Sequence, residues 1–246
     1  MRFVLSLHPK MPNDYFQFKQ FTIRQDRCAM KVGTDGTLLG AWAKAPAGPC
    51  RVLDIGTGTG LVALMMAQRF PEAEIVGIDI DPQAVVQARE NTMESPFAER
   101  VTILEADILS MESADLFDAI VSNPPYFVDS LVCPDAQRTT ARHTVSLTYE
   151  GLMQAAYRLL KMEGFFSVII PEESRFSLES AATMAGFFVS RVCHIRTTPR
   201  KPSKRCLIEL KKTSDYNIDI SECIIETEPN VRSDWYQQLT KEFYLK

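Results

Sequence analysis

A short stretch that joins a strand to a glycine-rich turn and a helix most restricts the folds open to this chain. Residues 51–55 predict a buried strand, the turn after them has glycine at positions 56, 58 and 60, and residues 61–70 predict a helix. Glycine lets the backbone approach a ligand closely, and the first turn of the helix presents free N–H groups. Such a unit is typical of nucleotide-binding α/β proteins.

The rest of the chain continues this alternation. Strands are predicted at 74–79, 101–105, 117–122, 165–170, 187–195 and 206–210, with helices at 81–91, 147–161 and 174–186. Alternating units of this kind predict a doubly wound, mostly parallel α/β sheet of seven strands with helices on both faces, a Rossmann-like architecture. A hairpin at 13–27, a helix capped by Thr34 or Asp35 and a helix after Ser233 are expected as additions.

Composition fits one cytoplasmic domain. The chain has 246 residues, of which 46% are hydrophobic, so it can bury a sizeable core. Its apolar runs fall short of the ~20 residues that a membrane helix needs, and prolines interrupt the first residues too early for a signal peptide. The six cysteines and three histidines share no metal-ligand spacing, so we expect no metal. We divide the domain into an N-terminal extension (1–45), a core sheet (50–212) and a C-terminal extension (213–246).

The glycine turn indicates a particular ligand. Its third glycine comes one residue earlier than in the dinucleotide fingerprint, and Asp54 places a negative charge near the turn, where it would repel a pyrophosphate. A ligand with a cationic centre and an amino group, such as S-adenosylmethionine, fits better. Asp79 ends the next strand, where an acidic residue can bind two ribose hydroxyls. Asp107 is predicted to accept from an adenine amino group, or instead to cap a turn. A tight turn without any ligand is the alternative for the glycines.

The stretch 123–126, Asn-Pro-Pro-Tyr, follows the predicted strand 117–122. The amide oxygen of Asn123 and the carbonyl of Pro124 are acceptors that can bind the two hydrogens of an exocyclic amine and favour the pyramidal nitrogen that attacks. Tyr126, which follows Pro125, offers a face on which a base can stack. The alternative is a proline-rich turn after a core strand.

Basic residues cluster late in the chain. The net charge is −4, but residues 191–212 contain eight lysines and arginines and a single glutamate. Four of them lie in or next to a predicted loop between two strands and could bind phosphates, namely Arg200, Lys201, Lys204 and Arg205. A solvated hairpin tip is the alternative. A long polar segment at 127–147 adds Arg138 and Arg142.

These motifs resemble the class I S-adenosylmethionine-dependent methyltransferases, with 54–60 as the cofactor turn and 123–126 as the signature of amino methylation. The segments 25–36, 198–209 and 235–245 further resemble the bacterial enzymes that methylate N6 of adenosine 37 in a valine tRNA. The resemblance implies that the N-terminal extension closes the cofactor site, with Lys31 and Thr34 near the methionine part of the cofactor. It implies the anticodon stem-loop of a tRNA as partner.

The resemblance also implies the full set of site residues. The catalytic residues would be Asn123, Pro124, Pro125 and Tyr126. The cofactor would be bound by Lys31, Thr34, Asp54, Gly56, Thr57, Gly58, Gly60, Asp79, Asp107 and Asn123. RNA would be bound by Arg138, Arg142, Arg200, Lys201, Lys204 and Arg205.

Other functions fit parts of this pattern. Glutamine N5-methylation of a protein uses the same planar nitrogen, although such enzymes generally have a longer helical N-terminal domain. Guanine N2-methylation of ribosomal RNA is a further enzymatic alternative, and a cofactor-binding RNA scaffold is the non-catalytic one. We favour a monomer.

Overall fold

The computed structural model describes residues 14–27, 31–125, 147–214 and 217–245. Tyr126, Arg138 and Arg142 lie outside these residues. The strands are β1 (Tyr15–Gln17), β2 (Thr22–Arg24), β3 (Cys50–Ile55), β4 (Ala73–Asp79), β5 (Val101–Glu105), β6 (Phe117–Ser122), β7 (Leu160–Pro171), β8 (Phe188–Arg196), β9 (Ser203–Lys211), β10 (Asp219–Ile224), β11 (Glu226–Glu228) and β12 (Val231–Arg232).

The helices alternate with the strands of the main sheet. They are α1 (Thr34–Trp42), α2 (Leu61–Arg69), α3 (Pro82–Met93), α4 (Tyr149–Leu159), α5 (Arg175–Ala185) and α6 (Asp234–Thr240), and a 3-10 turn, Glu172–Ser174, precedes α5. Two of the predicted caps are confirmed. The Asp81 side chain accepts from the N–H of Gln83 at the start of α3, and Ser233 accepts from the N–H of Tyr236 at the start of α6. The predicted cap of α1 is wrong, because the N-cap residue is Gly33 and not Thr34 or Asp35, and no side chain accepts a capping hydrogen bond there.

The main sheet has the strand order β10-β8-β9-β7-β6-β3-β4-β5. β3 to β7 are mutually parallel where they pair, whereas β9 runs antiparallel to both of its neighbours. The doubly wound, mostly parallel α/β architecture is therefore confirmed. The seven strands between residues 50 and 211 match the predicted number, but the sheet in the described residues has eight. β10 from the C-terminal extension is the additional strand, and it pairs in parallel with β8.

One predicted boundary is also wrong. The sequence indicated a helix to residue 161 that ends at Gly164, and a strand from residue 165. In the structure α4 ends at Leu159 and β7 begins at Leu160, which pairs with Phe117 across a bulge. Gly164 lies inside this irregular part of the strand, where an added Cβ would stand 2.6 Å from Leu160 Cδ1. Tertiary pairing with β6 therefore overrides the local helix signal.

Two apolar clusters cover the two faces of the sheet. One packs α1, α2 and α3 against the sheet together with β1, β2 and α6, and the other packs α4 and α5 against the opposite face. The terminal additions thus belong to the first cluster. An isolated bridge between Phe18 and Tyr244 joins the predicted N-terminal hairpin, which the structure confirms, to the end of the chain.

Candidate functional site

The ends of β3 and β6 lie side by side in the middle of the sheet. Ile55 and Ser122, the last residues of these strands, are register partners, and the Ser122 hydroxyl donates to the Ile55 carbonyl at 3.0 Å. The chain order reverses here, because β4 follows β3 on one side and β6 returns on the other. Ligands of open α/β sheets bind at this kind of switch point. The glycine turn and Asn123 therefore leave the sheet next to each other.

The glycine turn has a conformation that favours glycine at three positions. Gly56, Gly58 and Gly60 all have positive φ, at 71°, 55° and 82°. An added Cβ at Gly56 would meet nothing within 4 Å, whereas one at Gly60 would stand 3.4 Å from Ala88 on α3. Gly56 therefore leaves room for a ligand, and Gly60 serves the packing of α2 against α3.

The carboxylate of Asp54, two residues before Gly56, is buried and bonded to the glycine turn. Asp54 is 1% exposed, and its Oδ2 accepts from the Thr57 hydroxyl at 2.7 Å and from the N–H of Ala63 at 3.1 Å. Burial raises the pKa of Asp54 to about 7, against the two hydrogen bonds, and the nearby charge of Asp79 adds to the rise. A positive charge brought to this place would be attracted to the ionised form.

A cavity of about 300 Å³ joins the glycine turn to Asn123. This volume is at the lower end of the range for small-molecule sites. The structure brings together eight residues that the sequence indicated for the cofactor or for catalysis: Lys31, Thr34, Asp54, Gly56, Thr57, Gly58, Asn123 and Pro124. The lining does not include four other residues of the predicted site: Gly60, Asp79, Asp107 and Pro125.

The Asp79 and Asp107 carboxylates both accept hydrogen bonds from backbone N–H groups. Asp79 Oδ2 accepts from the N–H of Gly58 at 2.9 Å, so this carboxylate orders the glycine turn, and its Oδ1 accepts from the N–H of Asp81 at 3.0 Å. Asp107 Oδ1 accepts from the N–H of Leu109 at 2.9 Å, which is the turn cap that the sequence left open as an alternative. Asp79 is the last residue of β4, and Asp107 comes two residues after the end of β5, so both follow the carboxyl ends of parallel strands.

Arg205 lies at the cavity although the sequence placed it with the RNA-binding residues. It lines the wall and pairs with Asp35 at 2.9 Å, and both side chains are about one-fifth exposed (21% and 18%). Arg200, Lys201 and Lys204 are instead exposed on or beside the turn between β8 and β9. β9 is antiparallel to both β7 and β8, so β8 runs in the same direction as β7 and β6. The turn after β8 therefore lies at the same edge of the sheet as the cavity.

Sequence reasoning missed part of the lining. Asp35 and Gly36 directly follow Thr34, and their position in the first turn of a helix was the signal that could have found them. An added Cβ at Gly36 would stand 3.0 Å from Leu61 Cδ2, so this glycine lets α1 approach α2. The lining residues outside the predicted set of site residues are Val32, Gly33, Asp35, Gly36, Thr59, Leu61 and Val62.

The described residues contain neither a metal-binding cluster nor a helix that could span a membrane. In the parts of the chain that the structure describes, no three histidine, cysteine, aspartate or glutamate side chains are grouped to bind a metal. Among the helices of these parts, none has both the length and the apolar character needed to span a bilayer.

Known proteins resemble the chain in both sequence and fold. The methyltransferase small domain family matches residues 36–178. Proteins named tRNA1(Val) (adenine(37)-N6)-methyltransferase match almost end to end: the one from Phocaeicola vulgatus is 52% identical, that from Bacteroides thetaiotaomicron 49% and that from Vibrio cholerae 41%. Each alignment covers 96% of this chain and 98–99% of the relative.

Solved structures support the fold alone. A predicted O-methyltransferase from Agrobacterium tumefaciens superposes with a TM-score of 0.68 at 22% identity, over 85% of this chain and 96% of that one. A glycopeptide N-methyltransferase complexed with S-adenosylmethionine superposes with a TM-score of 0.55 at 12% identity, over 75% and 90% of the two chains. The sheet, the glycine turn and the cavity are thus set in a methyltransferase fold.

Proposed function

This chain belongs to the tRNA1(Val) (adenine(37)-N6)-methyltransferase family, and from that membership we propose that it transfers a methyl group from S-adenosylmethionine to N6 of adenosine 37 in a valine tRNA. The observation that carries the proposal is the shared cavity. Asn123 and Pro124 line the same cavity as Gly56 and Gly58, so an amine acceptor and a cofactor can occupy adjoining space.

The residues around the turn suit S-adenosylmethionine. When bound, this cofactor supplies a methyl group on a positively charged sulfur that is a good leaving group. The open space at Gly56 admits a ligand against the backbone, and the buried Asp54 offers negative charge that favours a cation over a pyrophosphate. We assign the ribose to Asp79 and the adenine edge to Asp107, each of which retains lone pairs beyond its backbone bonds.

Lys31 and Thr34 are assigned to the methionine end of the cofactor. Both residues line the cavity from the N-terminal extension, on the segment that leads into α1. The Val32 N–H donates to the Gln25 side chain at 2.7 Å, which fastens this segment to the hairpin region. The extension 1–45 therefore closes the cofactor side of the single domain in our proposal.

Asn123 and Pro124 act on the target amine. An adenine N6 is a poor nucleophile because its lone pair is delocalised into the ring. Two acceptors that bind its hydrogens favour the tetrahedral nitrogen and stabilise the positive charge that develops as the nitrogen attacks. Pro125 limits the conformation of the turn, and Tyr126 stacks on the base in this proposal. No covalent enzyme intermediate is required, since the reaction is a single displacement that depends on positioning.

Cations at the sheet edge are proposed to bind the RNA backbone. Arg200, Lys201 and Lys204 are exposed on the side where the target base must enter. We also assign RNA binding to Arg205, which lies at the cavity wall, and to Arg138 and Arg142. An anticodon-loop base is already unpaired, so its insertion into the cavity costs less than opening a duplex.

The function is tested with purified protein, isotope-labelled S-adenosylmethionine and an unmodified valine tRNA transcript. We expect one methyl group per tRNA, recovered as N6-methyladenosine by nucleoside mass spectrometry, and none with a transcript that has guanosine at position 37. Label in ribosomal RNA as N2-methylguanosine, or in protein as methylglutamine, with the tRNA unlabelled would contradict the proposal.

A further inference from the structure

A second and larger cavity adjoins the first. It is a groove of about 1250 Å³, built mainly from residues near the two ends of the chain, in β1 and its turn, around β12, and in α6 and the residues after it. It shares Val32, Gly33 and Thr34 with the cofactor cavity, so this short segment forms a common wall. Small-molecule sites are typically ~300–1,000 Å³, and the groove exceeds that range.

Aromatic rings form part of the groove. The rings of Phe16 and Tyr244 are half-buried and stand 6.0 Å apart edge to face, and the buried Tyr236 places its hydroxyl 3.1 Å from that of Tyr244. Half-buried rings in a polar groove offer faces or edges to planar groups. In proteins that bind single-stranded nucleic acid, such rings stack on successive bases.

The lining of the groove has more positive than negative side chains, whereas the whole protein has a net negative charge. Lys19, Arg232 and Lys241 are exposed in its lining, against Asp234 as the one acidic residue there, whereas the whole chain has a net charge of −4. Arg232 pairs with Glu226 at 3.0 Å, so the positive charge open to a ligand belongs to Lys19 and Lys241. Exposed amides of Gln17, Gln237 and Gln238 add donors and acceptors. Cationic side chains can bind the phosphates of RNA, and aromatic rings and amides can bind its bases.

The two sides of the groove are bonded to each other. The Lys19 N–H donates to the Phe243 carbonyl at 2.8 Å, the Lys19 ammonium group donates to the Lys241 carbonyl, and Phe18 forms a bridge with Tyr244. The groove is therefore formed before any partner binds. A preformed site loses less conformational entropy on binding.

We infer that this groove binds the nucleotides next to the target adenosine in the anticodon loop, an inference that rests on the proposed function. A base held against Asn123 remains joined to its neighbours, and a strand leaving the cofactor cavity over Val32–Thr34 enters the groove directly. Lys19 and Lys241 contact phosphates there, and the exposed parts of Phe16 and Tyr244 contact a base. The terminal extensions thus add a second RNA surface to the basic turn between β8 and β9.

The test is a double variant, Lys19→Gln with Lys241→Gln, which removes two charges and retains hydrogen-bond donors. We expect the dissociation constant for valine tRNA, measured by fluorescence anisotropy without cofactor, to rise about tenfold or more. The slope of log affinity against log salt should become shallower by about 0.7 for each lost phosphate contact. Binding of S-adenosylmethionine, measured by calorimetry, should not change.

The matched control is Lys44→Gln with Lys161→Gln, because these exposed lysines lie at the opposite edge of the sheet. If the groove variant binds tRNA with the affinity and salt slope of this control, the inference is wrong. As a second measurement, a photo-crosslinker at Gln238 should react with anticodon-loop nucleotides, and one at the exposed Glu163 should not. Crosslinks from Gln238 confined to the acceptor or D arm, or to added cell protein, would also overturn it.

Failure of the inference can be told from failure of the proposed function. Methylation of adenosine 37 by the unchanged protein is measured in the same preparations. A wild-type protein that methylates the tRNA while the groove variant binds it normally refutes the groove alone. A wild-type protein that leaves adenosine 37 unmethylated refutes the proposed function and, with it, the premise of the inference.

Discussion

Replacing the buried aspartate by asparagine should make the cofactor-free protein more stable at neutral and alkaline pH. In Asp54→Asn the amide oxygen can take the place of Oδ2, which accepts both from Thr57 and from Ala63, so the local hydrogen bonds survive. What the substitution removes is a desolvated negative charge on a side chain that is 1% exposed. The variant therefore isolates the free energy of that charge.

The size and the sign of this stability difference follow from the pKa of Asp54. Burial raises the pKa of Asp54 from 3.8 to about 7, a rise of about three units, each equivalent to about 1.4 kcal/mol. In the native protein Asp54 keeps its proton over a pH range in which the unfolded chain loses it. The free energy of unfolding of the wild type therefore decreases as pH rises from about 4 to about 7, and then levels off. The advantage of Asp54→Asn should be near zero at pH 4 and reach up to about 4 kcal/mol above pH 7.

Urea unfolding of the cofactor-free protein at several pH values between 4.5 and 8 measures this difference. Thermal melts should show a corresponding gain of about 2–4 °C for each kcal/mol in a chain of this size. Asp115→Asn is the control, because the Asp115 side chain is 81% exposed and its replacement should change stability little at any pH. A stability difference between Asp54→Asn and wild type that does not vary with pH would refute the argument from desolvation.

The same variant should bind S-adenosylmethionine more weakly, by about tenfold or more, because a neutral amide attracts a cation less than a carboxylate does. Calorimetry should further show that wild-type affinity rises between about pH 6 and 8, as Asp54 ionises, more steeply than the affinity of the variant. Equal affinities at pH 8 would show that the charge of Asp54 does not serve the cofactor. The stability lost to this carboxylate would then have no functional explanation.

Three other substitutions test separate parts of the structure. Asn123→Ala should lower the single-turnover rate of methyl transfer by about 10²–10³-fold with cofactor affinity near normal, and undiminished turnover would refute its proposed role. Gly77→Ala should weaken cofactor binding and destabilise the protein by about 1–3 kcal/mol, because its Cβ would stand 2.8 Å from Thr57 Oγ1; an unchanged urea midpoint and cofactor affinity would argue against this contact. Arg191→Met should cost about 1–3 kcal/mol, because the buried Glu209 loses its 2.9 Å partner, and a stability equal to wild type would show that the pair contributes little. Glu209 keeps the Ser190 hydroxyl at 3.0 Å and Lys44 at 3.8 Å, which limits the loss.

Much of the fold could be predicted because its signals are local. The glycine turn, the prolines that follow β6 and the caps Asp81 and Ser233 act within a few residues of their own position. The alternation of strands and helices then leaves few arrangements other than a doubly wound sheet. The placement of the glycine turn beside Asn123, by contrast, depends on the pairing of β3 with β6, which is a contact between distant parts of the chain.

Apart from the cap of α1, which is wrong by a local shift to Gly33, the errors fall where distant parts of the chain meet. β10 joins the sheet by pairing with β8, and β7 extends to Leu160 because that residue pairs with Phe117. Arg205 turns to the cavity because Asp35, which is far away in sequence, is its partner. Local composition contains no signal for these contacts.

Asn91 illustrates the same limit within the site. It is buried, and its side-chain amide donates to the Arg24 carbonyl at 2.9 Å and to the Thr59 carbonyl at 2.8 Å. This one side chain therefore connects the N-terminal hairpin to the glycine turn. In the sequence it is simply a polar residue near the end of a helix.

The sequence by itself thus determined the class of fold, the glycine turn and the Asn-Pro-Pro-Tyr stretch at 123–126, because each depends on residue types at short and regular spacing. Only the tertiary structure decided that Asp54 is desolvated, that Arg205 faces the cavity at the glycine turn, and that residues 16–19 and 230–245 form a groove beside it. Burial and charge pairing are properties of neighbours in space. In this chain such neighbours can be far apart in sequence, as Phe18 and Tyr244 are.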